Sequence, residues 1–243
     1  MVGGLGRTYE AQGRYDEAER QFLDVLRLSE GFWDDENIWL LAYKGALAGV
    51  YTNQKRYDEA ESLYIEVLMI QRNVDGDETL RTLGSVSGLA WVYTHLGKHQ
   101  EAENLFDEAL EVYQRKYSRE HGDTIRCMNG LAELYTAQHR YEDAKSLLVE
   151  VLEISSRALG EDHPWTLTTT HNLAATYKEQ DRYEEAEPRL LQALKGRHLK
   201  LGGKHPNTQE SLKNLIELYE AWGKPEKAEK WRAELPQTKA AEQ

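Results

Sequence analysis

Six tyrosines stand 42 residues apart with no insertion or deletion between them: Tyr9, Tyr51, Tyr93, Tyr135, Tyr177 and Tyr219. Four residues before each is a leucine (Leu5, Leu47, Leu89, Leu131, Leu173, Leu215), and five after each is a base (Arg14, Arg56, Lys98, Arg140, Arg182, Lys224). Nine after each is an alanine: Ala18, Ala60, Ala102, Ala144, Ala186 and Ala228. Columns held through six units make the chain an array. An array restricts the fold to one small unit stacked on copies of itself.

Within a unit, the positions ten, seven, four and three before the tyrosine are mostly apolar, as in Ile125, Met128, Leu131 and Ala132. That spacing is one stripe of a 3.6-period helix and excludes a strand. A short break follows (Gln12-Gly13, Leu96-Gly97, Gln180-Asp181, Trp222-Gly223), then a second helix opening on base-aromatic-x-acid-alanine, such as Arg182-Tyr183-Glu184-Glu185-Ala186. Acidic residues in a first turn suit the positive end of the helix dipole, and Pro225 sits where a first-turn proline is tolerated. Pro188, inside a second helix, is expected as a tolerated kink. Gly76, Gly160 and Gly202 fall at the ends of second helices, which predicts left-handed caps. The alanine column, and the small residues Gly6, Ala48, Ala90, Ala132 and Ala174, let two helices cross closely. No hairpin buries such a face alone, so the pattern predicts an all-α, elongated and curved stack.

The leucine–small–x–x–tyrosine and basic–tyrosine–x–acid–alanine pattern resembles the tetratricopeptide repeat. The 42-residue unit, with Leu159-Gly160-Glu161-Asp162-His163-Pro164, Asn172-Leu173-Ala174 and Glu185-Ala186-Glu187-Pro188, is similar to the kinesin-light-chain type of that repeat. The resemblance implies a right-handed superhelical solenoid of six helix-turn-helix repeats, a single array over 1–236. Its units run about 1–38, 39–80, 81–122, 123–164, 165–206 and 207–236, before a polar tail at 237–243. The first helix is clipped relative to the others, which suggests a fragment of a longer array. Trp39 and Trp165 share a column twelve before the tyrosine and are expected to pack on the preceding unit.

Thirty Lys and Arg against forty-two Asp and Glu leave a net charge of −12, which argues against a binder of nucleic-acid phosphates. One cysteine, Cys127, excludes a disulfide framework and a multi-cysteine metal site, and fits a reducing compartment. No apolar run reaches membrane-spanning length, and the N-terminus lacks a signal-peptide core. The chain is expected to be cytoplasmic, without nucleic-acid or membrane partners and without a cofactor or metal.

Motifs with chemical potential resolve into repeat positions. The glycines of Gly3-Gly4-Leu5-Gly6 follow no strand and occupy ordinary columns, so they do not read as a phosphate loop. His95 and His99 have metal spacing, but Gly97 breaks the helix between them and no third ligand is near in sequence. Asp75-Gly76-Asp77-Glu78 reads as a turn rather than a calcium loop. His121, His163 and His205 share one column before the first helix and read as turn residues, and Cys127 as inert packing. No nucleophile–base arrangement is present, so no catalytic residue is assigned and the chain reads as no enzyme.

What remains is a surface. In the resembling family ligands lie on the concave face, against first-helix positions nine, six, five and two before the tyrosine and one or two after it. Carried onto this sequence, the groove holds Ser87, Trp91, Thr94 and His95, then Arg126, Asn129, Glu133 and Thr136. It continues with His171, Asn172, Lys178, Lys213 and Asn214. Helical phase sets these residues off the buried stripe, with Trp91 as a candidate aromatic anchor and the asparagines as partners for a peptide backbone. The family's asparagine column, five before the tyrosine, is Gly4, Ala46, Gly88 and Gly130 in the first four units. With Gly45, Gly49 and Gly84 this predicts an emptied N-terminal groove, either a wide bay or a region that binds nothing. The sequence points to a non-catalytic module binding a peptide or partner helix. The alternatives are a structural spacer or self-associating scaffold, or a regulatory array of a larger signalling protein.

Overall fold

The structure, a computed structural model, describes residues 2–235. The polar tail expected at 237–243 lies outside the described residues. Among those described are twelve helices and no strand. They are α1 (Val2–Ala11), α2 (Tyr15–Ser29), α3 (Ile38–Asn53), α4 (Tyr57–Val74), α5 (Leu80–His95) and α6 (His99–Lys116). After them come α7 (Gly122–Ala137), α8 (Tyr141–Leu159), α9 (Pro164–Glu179), α10 (Tyr183–Leu201), α11 (Pro206–Ala221) and α12 (Pro225–Arg232). The odd-numbered helices are the first helices of the units. From α3 onward they begin at Ile38, Leu80, Gly122, Pro164 and Pro206, one residue ahead of the repeat boundaries read from the sequence. The fold is an all-α helical-repeat solenoid. It divides between Gln138 and His139 into two compact units. In the first, hairpins α1/α2, α3/α4 and α5/α6 stack in order and α7 packs on α5 and α6; in the second, α9/α10 and α11/α12 are the hairpins and α8 packs on α9.

Each column has a local physical role. The residue four after each tyrosine has positive φ in all six units: Gly13 (71°), Lys55 (63°), Gly97 (74°), His139 (59°), Asp181 (59°) and Gly223 (70°). The next residue, the basic column, returns its backbone N–H to the tyrosine carbonyl, as Arg14 to Tyr9 and Arg56 to Tyr51, both at 2.9 Å, and Arg182 to Tyr177 at 3.0 Å. This six-to-one closure stops the first helix and turns the chain back. At Arg14, Arg56, Lys98 and Arg182 the base then lies over the tyrosine ring it has just bonded, whereas Lys224 lies over Trp222. Arg14 sits 4.4 Å from the Tyr9 centroid, Arg56 4.1 Å from Tyr51 and Arg182 4.5 Å from Tyr177. Arg56 also reaches Glu59 on its own helix (2.5 Å) and Glu19 of the previous hairpin (2.8 Å). The alanine column is fully buried in every unit, which lets the second helix lie close on the first.

First helices are capped by a recurring side chain. Asn37 and Thr79 accept backbone N–H groups at 2.9 and 3.2 Å, and the Nδ1 atoms of His121, His163 and His205 accept from Asp123, Trp165 and Asn207 at 3.3, 3.2 and 3.2 Å. Pro164, Pro206 and Pro225 open α9, α11 and α12, and Pro188 lies inside α10.

Two expectations need correction. Gly160 and Gly202 have positive φ but extended ψ (92°, 158° and 84°, 161°), so they are not left-handed helical caps; they occupy a region open essentially to glycine alone. Trp39 is 59% exposed rather than packed on the preceding unit, whereas Trp165 in the same column is half-buried.

Lys55 holds a left-handed conformation that costs a non-glycine residue about 1.5 kcal/mol. Lys55→Gly is expected to raise stability by about 0.5–1 kcal/mol once glycine's larger unfolded-chain entropy is counted. Gly97→Ala in the same column is expected to lower it by about 1 kcal/mol. Urea midpoints at unchanged slope check both.

Candidate functional site

In the first compact unit, the glycine column five before the tyrosine is filled rather than empty. A Cβ on Gly88 would lie 2.5 Å from Tyr64 Cζ, and one on Gly130 would lie 2.7 Å from the Phe106 ring and 3.2 Å from Trp91 Cδ1. Tyr64 and Phe106 stand thirteen after the tyrosine of the preceding unit. In that column the sequence runs Phe22, Tyr64, Phe106, Leu148, Leu190, and its partner in the next unit runs Ala46, Gly88, Gly130, Asn172, Asn214. Aromatic rings thus pair with glycine or alanine, and leucines with asparagine. The asparagine column is lost where a ring takes its volume.

Gly45, Gly49 and Gly84 do stay open. The nearest atoms to a Cβ built on them are Ser85 Oγ at 3.9 Å, Tyr64 Oη at 3.6 Å with Glu10 Oε1 at 3.7 Å, and an Arg126 Nη at 3.8 Å. Four polar tips from α1, α4, α5 and α7 therefore gather over bare backbone. Arg126 contacts Asp123 at 3.0 Å. Glu10 makes no hydrogen bond or ion pair among the described residues, and burial holds its carboxyl above the ordinary range against the pull of Arg7 and Arg126.

Of the groove residues expected in this unit, Ser87, Thr94 and Asn129 are buried, not off the buried stripe. Their side chains donate to their own helix, at Leu83 O (2.9 Å), Ala90 O (3.0 Å) and Ile125 O (3.0 Å). Neighbouring first helices cover this phase, which a single-helix projection omits. Thr136 is half-buried and donates to Ala132 O at 3.0 Å. Trp91 is half-buried with its ring edge on His95, centroids 4.2 Å apart, and His95 in turn lies 4.9 Å from Tyr57. His95 Nε2 stands 3.7 Å from Glu133, and burial, then the Lys55 charge, lower its pKa. Cys127 is buried against Phe106 O, and desolvation pushes its thiol up to about 12.

In the second compact unit, His171, Lys178 and Asn214 come together, with partners the motif reading missed. His171, expected on the groove surface, is buried. Its Nε2 accepts from Asn214 Nδ2 at 3.1 Å, which leaves the proton on Nδ1, 3.2 Å from Ser211 Oγ. Arg197, buried on α10, donates to Ser211 Oγ (2.9 Å) and Asn207 O (2.8 Å), with Glu210 at 3.3 Å. Lys178 bonds Asn214 Oδ1 at 3.3 Å and pairs with Glu217 at 2.8 Å. Burial, then the charges of Arg197 and Lys178, hold the imidazole well below its ordinary pKa. Asn172 is half-buried and Lys213 exposed, and neither joins the network. A signal for Arg197 did exist. The column twenty after the tyrosine is polar in five units, Ser29, Gln71, Tyr113, Ser155 and Arg197, and every member is buried.

The capped, closed hairpins place the chain among helical-repeat solenoids. It belongs to the tetratricopeptide-repeat family, whose models match residues 39–115, 84–154 and 123–198, with a further match over 3–30. Its repeat is of the kinesin-light-chain-like type. The kinesin-light-chain, nearly identical TPR-like repeats of Podosopora anserina share 27% identity with it at a TM-score of 0.59, over 82% of this chain and 94% of that one. BtubC (BKLC) from P. vanneervenii aligns over 98% of this chain and 96% of its own, with 22% identity and a TM-score of 0.64. PlcR of Bacillus thuringiensis, solved with the peptide PapR7 and DNA, has a TM-score of 0.67 at 15% identity over 89% of this chain and 72% of its own. No curated protein matches the sequence at significance. Among the described residues no helix is long and apolar enough to cross a membrane, and no three His, Cys, Asp or Glu side chains converge as metal ligands.

Gly88→Asn is expected to cost about 1–3 kcal/mol by overpacking against Tyr64. Tyr64→Leu in the same chain, recreating the leucine–asparagine pairing, is expected to recover about 1 kcal/mol or more of that in a double-mutant cycle. For His171, the folded state binds its proton less readily than the unfolded state. Its stabilisation is therefore complete above pH 6.5 and is lost as pH falls below 6.5 toward the depressed folded value. His171→Gln is expected to flatten the fall in urea midpoint between about pH 7 and 5.

Proposed function

We propose that the chain is a non-catalytic interaction module that holds a peptide segment or partner helix against its first helices, on the face occupied in the first compact unit by Gly45, Gly49 and Gly84. The observation that carries this reading is the set of polar tips over those glycines: Ser85 Oγ, Tyr64 Oη, Glu10 Oε1 and Arg126, with Glu10 half-buried and unpaired. A half-buried carboxylate with arginines nearby but none in ion-pair contact costs free energy that a ligand's ammonium or backbone donors offset. Open backbone lets a peptide main chain approach where a Cβ would hold it off. A tetratricopeptide-fold neighbour solved with a bound peptide supports this class of ligand. Arg126 and Trp91 flank the same face. In the second compact unit Asn172 and Lys213 are the groove residues left without internal partners, and His171, Lys178 and Asn214 serve the buried network. The net charge of −12 favours a protein or peptide partner over nucleic acid.

A second reading, a scaffold that stacks on another unit or copy, is favoured by Leu5. This member of the leucine column is 51% exposed, while Leu47, Leu89, Leu131, Leu173 and Leu215 are buried. Light scattering over a concentration series separates it: a strict monomer removes self-stacking.

The test of the first reading is a displayed random-peptide selection on the purified chain, repeated with Glu10→Gln/Arg126→Gln. A shared peptide motif that the variant no longer enriches is the expected result. No enrichment, or the same motif on both proteins, refutes the assigned face.

A further inference from the structure

The link between the first two hairpins departs from the repeat. The link after α2 spans eight residues, 30–37, whereas those after α4, α6, α8 and α10 span 75–79, 117–121, 160–163 and 202–205. The 42-residue period is intact, so nothing has been inserted. Instead α2 stops a turn early. Gly31, at φ +77°, stands where α8 continues through Arg157, and Phe32 and Trp33 fall where α8 has Ala158 and Leu159. The unwound turn leaves these two aromatic side chains in the link and removes the cover from the start of α3.

Five large apolar side chains in this stretch are exposed: Phe32 at 85%, Leu28 at 65%, Trp39 at 59%, Ile38 at 43% and Trp33 at 38%. None of the other four links carries an exposed large apolar residue within its own bounds, although Val74 (42%) and Leu80 (39%) flank the second link and Leu199 (72%) precedes the last. The aromatic residues Phe32 and Trp33 set the first link apart. Trp165, the repeat equivalent of Trp39, is half-buried behind the full-length α8. Exposed aromatic residues grouped this closely along the chain mark a candidate binding face.

The charge around it selects the partner. Glu30, Asp34, Asp35 and Glu36 lie in the same link, no base occurs from position 28 to Tyr43, and none of the four carboxylates is in an ion pair among the described residues. An anionic membrane or a nucleic acid is repelled by such a rim. Lysine and arginine are attracted to it, and arginine also stacks on tryptophan and phenylalanine.

We propose that this link is a second docking surface, separate from the first-helix faces, and that its occupant is a protein segment presenting bases beside an apolar face. The side chains of Phe32, Trp33 and Trp39 take the apolar face, and the four carboxylates take the bases.

The experiment is calorimetric titration of the purified chain with three synthetic probes. These are an amphipathic lysine–leucine helix, a scramble of identical composition with no apolar face, and the amphipathic helix with glutamate for lysine. Each is also titrated into the F32S/W33S/W39S variant, whose positions are exposed and whose fold is checked by circular dichroism. Binding of the amphipathic basic probe alone, at least tenfold weaker to the variant, is the expected result. Equal binding of the scramble, or equal binding to the variant, overturns the proposal. Sedimentation velocity of the chain alone addresses a second copy as occupant. Self-association abolished by the same three substitutions would likewise overturn it.

Discussion

The turn that closes each hairpin governs everything stacked upon it. A positive φ four residues after the tyrosine, followed by a backbone bond from the base to the tyrosine carbonyl, sets where the first helix stops and at what angle the second returns. Because the positive φ recurs in all six turns and the bond closes at Arg14, Arg56, Lys98, Arg182 and Lys224, the alanine column lands on the first helix and the unit length stays at 42 residues. The basic column has a second task in the same turn. Having donated its N–H, each of Arg14, Arg56 and Arg182 lays its cation over the tyrosine ring and binds a carboxylate three residues on, as Arg56 does with Glu59. Lys98 instead pairs with Glu61, and Lys224 lies over Trp222. In the turns of those three arginines, tyrosine, base and acid are one device, and losing any member loosens a turn rather than a single contact.

Much of this was legible because each column has a one-helix or one-turn cause. Leucine, alanine and tyrosine columns report packing within a hairpin, and a period of 3.6 is enough to assign their faces. The histidine column was readable as a turn element because it always precedes a first helix, and Nδ1 at an N-cap is the physical form of that reading. The groove residues were less legible. Ser87, Thr94, Asn129 and His171 project from the correct side of an isolated helix, yet neighbouring first helices cover that side. Phase within one helix carries no information about the width of the gap to the next.

The two relations the sequence reading missed both join different columns. Glycine at 88 and 130 follows from Tyr64 and Phe106, residues 24 positions earlier in the chain, and either column read alone looks like loss of function rather than exchange of volume. Arg197 is one member of a buried polar column whose other members are Ser29, Gln71, Tyr113 and Ser155. Reading one motif at a time finds neither, whereas tabulating size against size across adjacent units finds the first directly. Trp39 failed for a related reason: its cover depends on the length of α2, which Gly31 shortens, and not on its own column.

Polar residues are therefore used differently along the chain. In the second compact unit, His171, Asn214, Ser211, Arg197 and Lys178 satisfy one another, so a ligand there would have to replace bonds already made. In the first, aromatic rings supply the packing that asparagine and leucine share elsewhere, and the polar groups left at the surface, Glu10 foremost, are not consumed by the fold. A group that is half-buried, charged and unpaired contributes more to binding than one already bonded, because the ligand recovers its desolvation cost instead of repeating it. The same logic extends to the link of Phe32 and Trp33, where the fold leaves apolar surface uncovered and carboxylates unpaired side by side. Capacity for recognition in this array thus depends on the groups its packing leaves unsatisfied, such as the Glu10 carboxylate and the aromatic residues of the first link.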